Sequence, residues 1–333
     1  LVSMIEHLIA ATEGLMVSFG IDAPCMVVRG DGALISANVA RTRPIETILS
    51  GPAASIVGAR WLTQADNAVV SDIGGTTTDV AILRDGHPQI DPDGALIGGH
   101  RTMVEAVAMR TSGLGGDSAV HLVSKGLKSV LELGPRRVLP ISLLGFESPE
   151  IVHAALDDAL NRDRASEFDG QFLRAVNRAG RNETGLGPRE LELLARLGNE
   201  LHPMAKLIKA RTDLPAAHKL ISRGLAQRGA LTPSDASHAL GRIEVWDVEA
   251  AKKALCLMGR RRTGAGDMLA PVADVMAQIV IDQLTEQTVL ALLETAFSEE
   301  NEEFTHSPSD LAQHTLMRMG MDQHRGLLRI DAG

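Results

Sequence analysis

Apolar positions recur along this chain with two periods. Over residues 1–19, Leu1, Ile5, Leu8, Ile9, Leu15, Met16 and Phe19 fall close to a 3.6-residue repeat, which predicts a helix ended by Gly20 and Pro24. Short apolar runs follow at Cys25-Met26-Val27-Val28 and Ala33-Leu34-Ile35, on either side of Arg29-Gly30-Asp31-Gly32, and predict a hairpin. Ser50-Gly51-Pro52 opens a helix to about Leu62, with Ser50 as N-cap and Pro52 in the first turn, where its missing N–H needs no partner. Ala53, Ala54, Ser55, Gly58 and Ala59 predict close packing of that helix on another backbone. Ala68–Ile73 and Thr78–Leu83 read as strands joined by Gly74-Gly75-Thr76-Thr77, and Arg84-Asp85-Gly86-His87 as the next turn.

A second glycine loop, Gly113-Leu114-Gly115-Gly116-Asp117-Ser118, leads into an apolar stretch expected to be helical from about Ala119. From about Pro149 to Thr305 the pattern is mainly helical, with Leu191, Leu194, Ala195, Leu197 and Leu201 at helical spacing. Thr232-Pro233-Ser234-Asp235 reads as a helix start: Thr232 caps, Pro233 takes the first helical position and Asp235 closes back on the cap. Pro271–Phe297 predicts one long helix or two shorter ones, and Glu299, Glu300, Glu302 and Glu303 a solvated acidic end. Ile330-Asp331-Ala332-Gly333 reads as a strand entering a turn.

Composition narrows the function classes. The 333 residues carry 33 Lys+Arg against 42 Asp+Glu, a net charge of −9, so the basic footprint of a nucleic-acid binder is missing. At 2% aromatic residues the chain lacks stacking platforms for bases, and its core must rest on Leu, Ile, Val, Ala and Met. Cys25 and Cys256 are too few for a disulfide scaffold or a four-Cys zinc site, which fits a reducing, cytoplasmic setting. The 11 His include no His-x3-His pair; His121 is the one beside a glycine loop. No apolar run reaches the roughly 18 residues of a membrane span. Lys206, Lys209, Arg211, Lys219, Arg223 and Arg228 make 187–230 locally basic, read as a solvated face.

Asp72-Ile73-Gly74-Gly75-Thr76-Thr77-Thr78-Asp79 carries the strongest chemical signal. Two glycines let a ligand approach the backbone, successive N–H groups of such a turn form an anion-binding nest, and Thr76, Thr77 and Thr78 add hydroxyls without charge. Asp72 and Asp79 flank the turn as candidate catalytic carboxylates. Asp72 suits a Mg²⁺, reached through water, that bridges phosphates rather than the phosphates themselves. The turn joins two strands and lacks the Gly-x4-Gly-Lys pattern, so it is not a P-loop. For the second loop a phosphate-side role and a plain structural turn both stay open.

The octet resembles the second phosphate hairpin of the sugar-kinase/actin/heat-shock ATPase superfamily. Paired with Thr47-Ile48-Leu49-Ser50-Gly51-Pro52-Ala53-Ala54, it is similar to the hydantoinase A/5-oxoprolinase family. Gly113, Gly115, Gly116, Asp117 and Ser118 resemble that family's second glycine loop, and Leu231–Ala236 with His238, Leu240 and Gly241 its Thr-Pro-x-Asp helix start. Arg110 and Asp117 stand where many members have His and Gly.

The resemblance implies an α/β, ribonuclease-H-like, actin-type ATPase fold, here partial and interrupted by a large mainly helical insertion. The corresponding segments are 1–64 (end of the first ATPase lobe), 65–148 (start of the second), 149–305 (insertion) and 306–333 (return to the lobe). With Leu1 in place of Met, this leads to the expectation of a central piece of a longer ATPase. Its implied activity is ATP- and Mg-dependent opening of a small cyclic amide, in which ATP phosphorylates the amide oxygen and water attacks the activated carbon. A hydantoinase B-type partner subunit and an oligomer are implied as well. A carboxylase subunit and a nucleotide-driven regulator or reactivating chaperone remain alternatives on the same fold.

Overall fold

A computed structural model describes residues 2–94, 96–97, 100–125, 128–176 and 183–298. The acidic cluster from Glu299 and the expected strand at Ile330 lie outside the described residues. The architecture is mixed α/β, in two units. One holds residues up to Ile73, Thr78–Ser112 and the end of the last helix from Val289; the other holds Gly74–Thr77 and Gly113–Thr288.

In the first unit, α1 (Val2–Ser18) precedes a hairpin of β1 (Met26–Val28) and β2 (Leu34–Ser36) and the short α2 (Ala37–Thr42). Ile9, Ala37 and Ala40 bury together there. α3 (Ser50–Thr63) leads to β3 (Ala68–Ile73) and β4 (Thr78–Arg84). Then come five two-residue strands, β5 (His87–Pro88), β6 (Ile90–Asp91), β7 (Leu96–Ile97), β8 (His100–Arg101) and β9 (Ala106–Val107), followed by β10 (Met109–Ser112). The main sheet is antiparallel in the order β10-β4-β3, with β5 also on β4. Ala53 and Ile56 of α3 pack with Ala81, Leu83 and Val107. Leu49, in the left-handed region, caps α3, and Ser50 is already helical, one position from the expected cap. The close packing expected of α3 rests on Ala53: a Cβ on Gly51 or Gly58 would meet nothing within 4 Å.

In the second unit, β11 (Ser118–Lys125) and β12 (Lys128–Arg137) form a long hairpin. The helix expected from Ala119 is therefore a strand. Ala119 and Val120 are buried and His121, Leu122 and Val123 half-buried; the β-branched valines favour a pleated surface, and a run this short does not separate the two periods. The chain continues through α4 (Ile141–Glu147), α5 (Pro149–Leu160), β13 (Phe172–Ala175), α6 (Pro188–Leu197), β14 (Leu201–Pro203), α7 (Met204–Leu207), α8 (Asp213–Ser222) and β15 (Ala226–Gly229). It ends on α9 (Pro233–Ala239), α10 (Val248–Gly259) and α11 (Ala273–Ser298), the last being one helix over the Pro271–Phe297 stretch. The mainly helical region thus also holds an antiparallel sheet ordered β14-β13-β15. Leu131, Leu133, Ile141, Leu144, Leu156 and Leu255 belong to the larger core; Leu173, Leu193, Leu197 and Leu220 centre a second one. Among the described residues Phe172 is the one aromatic side chain that is fully buried, and no helix is long and apolar enough to cross a membrane.

The second core closes over a charge. Asp213 has no exposed side-chain surface, and Arg189 and Arg196 each approach it to 3.0 Å. Burial pushes its carboxyl up, but the N–H of Lys209, the Arg196 guanidinium and the N–H of Ala210 outweigh that and hold it at about 2. Removing one partner of a buried pair strands the others, so Asp213→Ala should cost about 3 kcal/mol at neutral pH. A carboxyl held below its unfolded value of 3.8 stabilises fully above that pH and ceases to do so as pH falls through 2. Urea melts should show a constant gap between wild type and variant from neutrality to about pH 4, narrowing below it. A gap independent of pH would contradict the assignment.

Candidate functional site

The Gly74–Thr77 turn closes the β3–β4 hairpin, where Asp72 lies directly opposite Asp79 and Ile73 opposite Thr78. Gly74 N–H donates to Thr77 O at 2.9 Å, which tightens the turn. Gly74, Gly75 and Thr76 are exposed, Thr77 is half-buried and Thr78 fully buried. Of the three threonines, Thr76 therefore stands most open to a ligand, and Thr78 anchors the strand. On β10, Thr111 lies opposite Asp79 and its Oγ1 donates to Asp79 Oδ1 at 2.5 Å. Asp72, Asp79 and Thr111 thus lie at directly opposed positions on three neighbouring strands. Facing carboxylates repel unless a cation lies between them.

The second glycine loop brackets the tip. Gly116 N–H donates to Gly74 O at 3.1 Å and Asp117 N–H to Gly75 O at 2.8 Å. A Cβ on Gly115 would stand 2.4 Å from Gly74 O and 2.7 Å from Gly75 C, so glycine is required for the contact. Gly113 meets Pro135 and Gly116 meets Ser234 in the same way, at 2.7 and 2.9 Å. Ser118 Oγ accepts from Gly115 N–H at 2.9 Å and is buried. Gly113 and Gly115 thus stand against neighbouring backbone and Gly116 against a side-chain oxygen.

The tip is thereby left with a one-sided polarity. Both glycine carbonyls are occupied, while among the described residues the N–H groups of Gly75 and Thr76 make no hydrogen bond within the protein. Two adjacent open N–H groups, at Gly75 and Thr76, suit an anion. Asp117 does not cancel this. Its Oδ2 accepts from Arg137 Nε at 3.1 Å and Nη2 at 2.9 Å, and its Oδ1 lies 3.3 Å from Ser234 Oγ. The paired carboxylate stands 3.0 Å from where a Gly75 Cβ would be.

The Thr232–Asp235 corner holds the loop from behind. Ser234 N–H and Oγ both donate to Gly116 O, at 2.8 and 2.9 Å. Asp235 closes the capping box with Thr232 and, fully buried, accepts five hydrogen bonds: Ile141 N, Ser142 N, Ser142 Oγ, Thr232 N and Thr232 Oγ1, at 2.7–3.1 Å. Burial raises its carboxyl above the usual range, and the Ser142 donors oppose that. His238 is structural: its ring lies 2.7 Å from Ser234 O, accepts from Trp246 N–H and stacks on Trp246.

Three of the four sequence motifs therefore meet: the Gly74–Thr77 tip, the Gly113–Ser118 loop and the Thr232–Asp235 corner. The Thr47–Ala54 motif belongs to the first unit and supplies the start of α3. Sequence reading missed Arg137, Ser142 and Thr111. Only pairing across strands and between distant segments brings them in, and no local spacing announces that. His121 lies on β11 opposite Glu132, not on a helix. Among the described residues no group of three or more His, Cys, Asp or Glu gathers as a metal cluster.

The family model described as hydantoinase/oxoprolinase matches residues 2–251. Caprolactamase subunit alpha of Pseudomonas jessenii is 29% identical over 127 residues, 37% of this chain and 18% of that protein. Acetone carboxylase beta subunit of Xanthobacter autotrophicus is 36% identical over 94 residues, 27% of this chain and 12% of that protein. A nucleotide-free acetone carboxylase structure, from work on ATP-dependent acetone carboxylation, aligns with a TM-score of 0.48 and 17% identity over 88% of this chain and 30% of that one. These matches span less than a third of each relative's length.

Gly115→Ala should destabilise the chain by about 1–3 kcal/mol, because its methyl meets only backbone. Gly116→Ala, which meets the rotatable Ser234 Oγ, should cost less. Paired denaturation curves check the order; equal losses would contradict the backbone bracket.

Proposed function

The chain belongs to the hydantoinase/oxoprolinase family, and on that premise we propose that residues 72–79 form the phosphate hairpin of an ATP-dependent enzyme that activates a carbonyl oxygen. We assign the substrate as a small cyclic amide of the hydantoin, 5-oxoproline or lactam kind, in keeping with the name of the caprolactamase relative. The observation that carries the reading is the polarity of the tip, with Gly74 and Gly75 carbonyls occupied and the Gly75 and Thr76 amides open. The proposed fold is the actin-type ATPase fold, and the antiparallel β10-β4-β3 sheet supports it.

In this reading the Gly75 and Thr76 N–H groups and the Thr76 hydroxyl receive phosphate oxygens, with Thr77 beside them and Thr78 fixing the strand. Glycine at 74 and 75 keeps side chains out of the path. Gly113, Gly115, Gly116, Asp117 and Ser118 hold the tip in place and do not touch the nucleotide. The Asp72 and Asp79 carboxylates with the Thr111 hydroxyl are hard oxygen donors suited to Mg²⁺ that keeps most of its water. ATP bound there supplies the phosphoryl group that turns an amide oxygen into a leaving group. An unactivated lactam is a poor electrophile, so this is where the energy is needed.

Carboxylation is the second reading, and the acetone carboxylase relative favours it. Both curated relatives are named as subunits, which supports a partner subunit and an oligomer; we assign that partner to the hydantoinase B kind and the enzyme to the cytoplasm. ATP turnover in the assembled enzyme separates the two: dependence on a lactam alone supports ring opening, and dependence on a ketone with bicarbonate supports carboxylation.

Asp72→Asn should weaken Mg-ATP binding at least tenfold in calorimetric titration and leave metal-free ATP binding nearly unchanged. Gly75→Val should abolish both by crowding the phosphate path. An equal loss with and without Mg²⁺ in Asp72→Asn would contradict the metal role, and full binding by Gly75→Val would contradict the hairpin assignment.

A further inference from the structure

A cavity of ≈ 110 Å³ opens in the second unit between β11, β15 and α10, lined by His121, Asp169, Gln171, Arg228, Leu231 and Arg261 among others. None of its lining residues belongs to the hairpin tip, the second glycine loop or the Thr232–Asp235 corner. We propose that this cavity is an oxyanion site, built on Arg228 and Arg261 beside His121, that takes a carboxylate or a sulfate- or phosphate-type group.

The charge on Arg228 is unbalanced. Arg228, half-buried on β15, donates through Nη2 to Gln171 Oε1 at 2.9 Å. Its Nε is buried and meets no acceptor among the described residues. A guanidinium carries five donors and is stable in such a place only when an anion or several acceptors receive them. No carboxylate among the described residues lies within ion-pair distance of it. Its charged neighbours are Arg136 and Arg261; with burial first, they lower its affinity for its proton.

The carboxylate that does line the cavity is already engaged. Asp169 accepts from Arg162 Nη2 at 2.6 Å and from Ser166 N–H at 2.7 Å, with 4% of its side chain exposed. Glu132, opposite His121 on β12, is exposed. Arg261 donates only weakly, to Glu167 O at 3.4 Å. His121 stands below the ordinary histidine range, through burial first and then the Arg228 charge, so it is neutral at pH 7 and has one N–H to give. An oxyanion in the cavity accepts from Arg228 Nε, offsets the repulsion among three arginines and faces the imidazole. The small volume admits a single charged head group and excludes a nucleotide.

The test reads the His121 ring by ¹H–¹³C NMR in the full chain. Ring pKa values are measured in sodium sulfate, in sodium acetate and in sodium chloride at equal ionic strength. The proposal expects at least one oxyanion to raise the His121 pKa by half a unit or more over chloride. Sulfate alone acting identifies a tetrahedral ligand, and acetate alone a carboxylate. The shift should vanish in Arg228→Gln and shrink in Arg261→Gln, and should persist in Gly75→Val, which separates this cavity from the hairpin. No shift with either oxyanion in the wild type, or an undiminished shift in Arg228→Gln, would overturn it.

Discussion

Contact between two backbones sets the geometry of this site. Gly115 lies so close to the Gly74-Gly75 turn that no side chain fits between them, and the Gly116 and Asp117 amides take up the two glycine carbonyls. That contact decides the chemistry of the tip. With both glycine carbonyls occupied, the Gly75 and Thr76 N–H groups remain as open donors of the turn. The contact itself depends on Asp235, whose five hydrogen bonds tie the start of α9 to the start of α4 and so fix Ser234 against Gly116. The hairpin tip is thus held by a buried carboxylate one layer behind it.

Three buried or half-buried aspartates show different answers to one problem. Asp213 is held ionised by two arginines and two amides; Asp235 meets only neutral donors and is pushed up by burial; Asp117 is covered by Arg137 and Ser234. Each serves position rather than reaction. Asp72 and Asp79 differ in kind, because their opposition across the hairpin places two like charges side by side near solvent. Arg228 is the cationic counterpart, a charge whose complement the described residues do not supply.

Much of this was legible in the residues. The octet from Asp72 to Asp79, its strand–turn–strand form and the capping box at Thr232 follow from local spacing, which is why they could be placed without coordinates. The second loop was visible as a glycine cluster, but its function as a backbone bracket depends on Pro135, Ser234 and the tip, all distant in sequence. The strand after Ser118 is not legible as one, because short apolar runs carry no decisive period. The small residues of α3 suggested tight packing, yet Gly51 and Gly58 face open space. Arg137, Ser142 and Thr111 had no local signal, since their roles come from pairing across strands and between elements.

The central claim is that the tip binds phosphate through amides freed by the bracket. Amide NMR of the chain titrated with Mg-pyrophosphate tests it most directly. The account predicts that the largest shifts fall on the Gly75 and Thr76 N–H signals, with smaller ones on Gly116 and Asp117. Saturating pyrophosphate that leaves the Gly75 and Thr76 amides unmoved would contradict it.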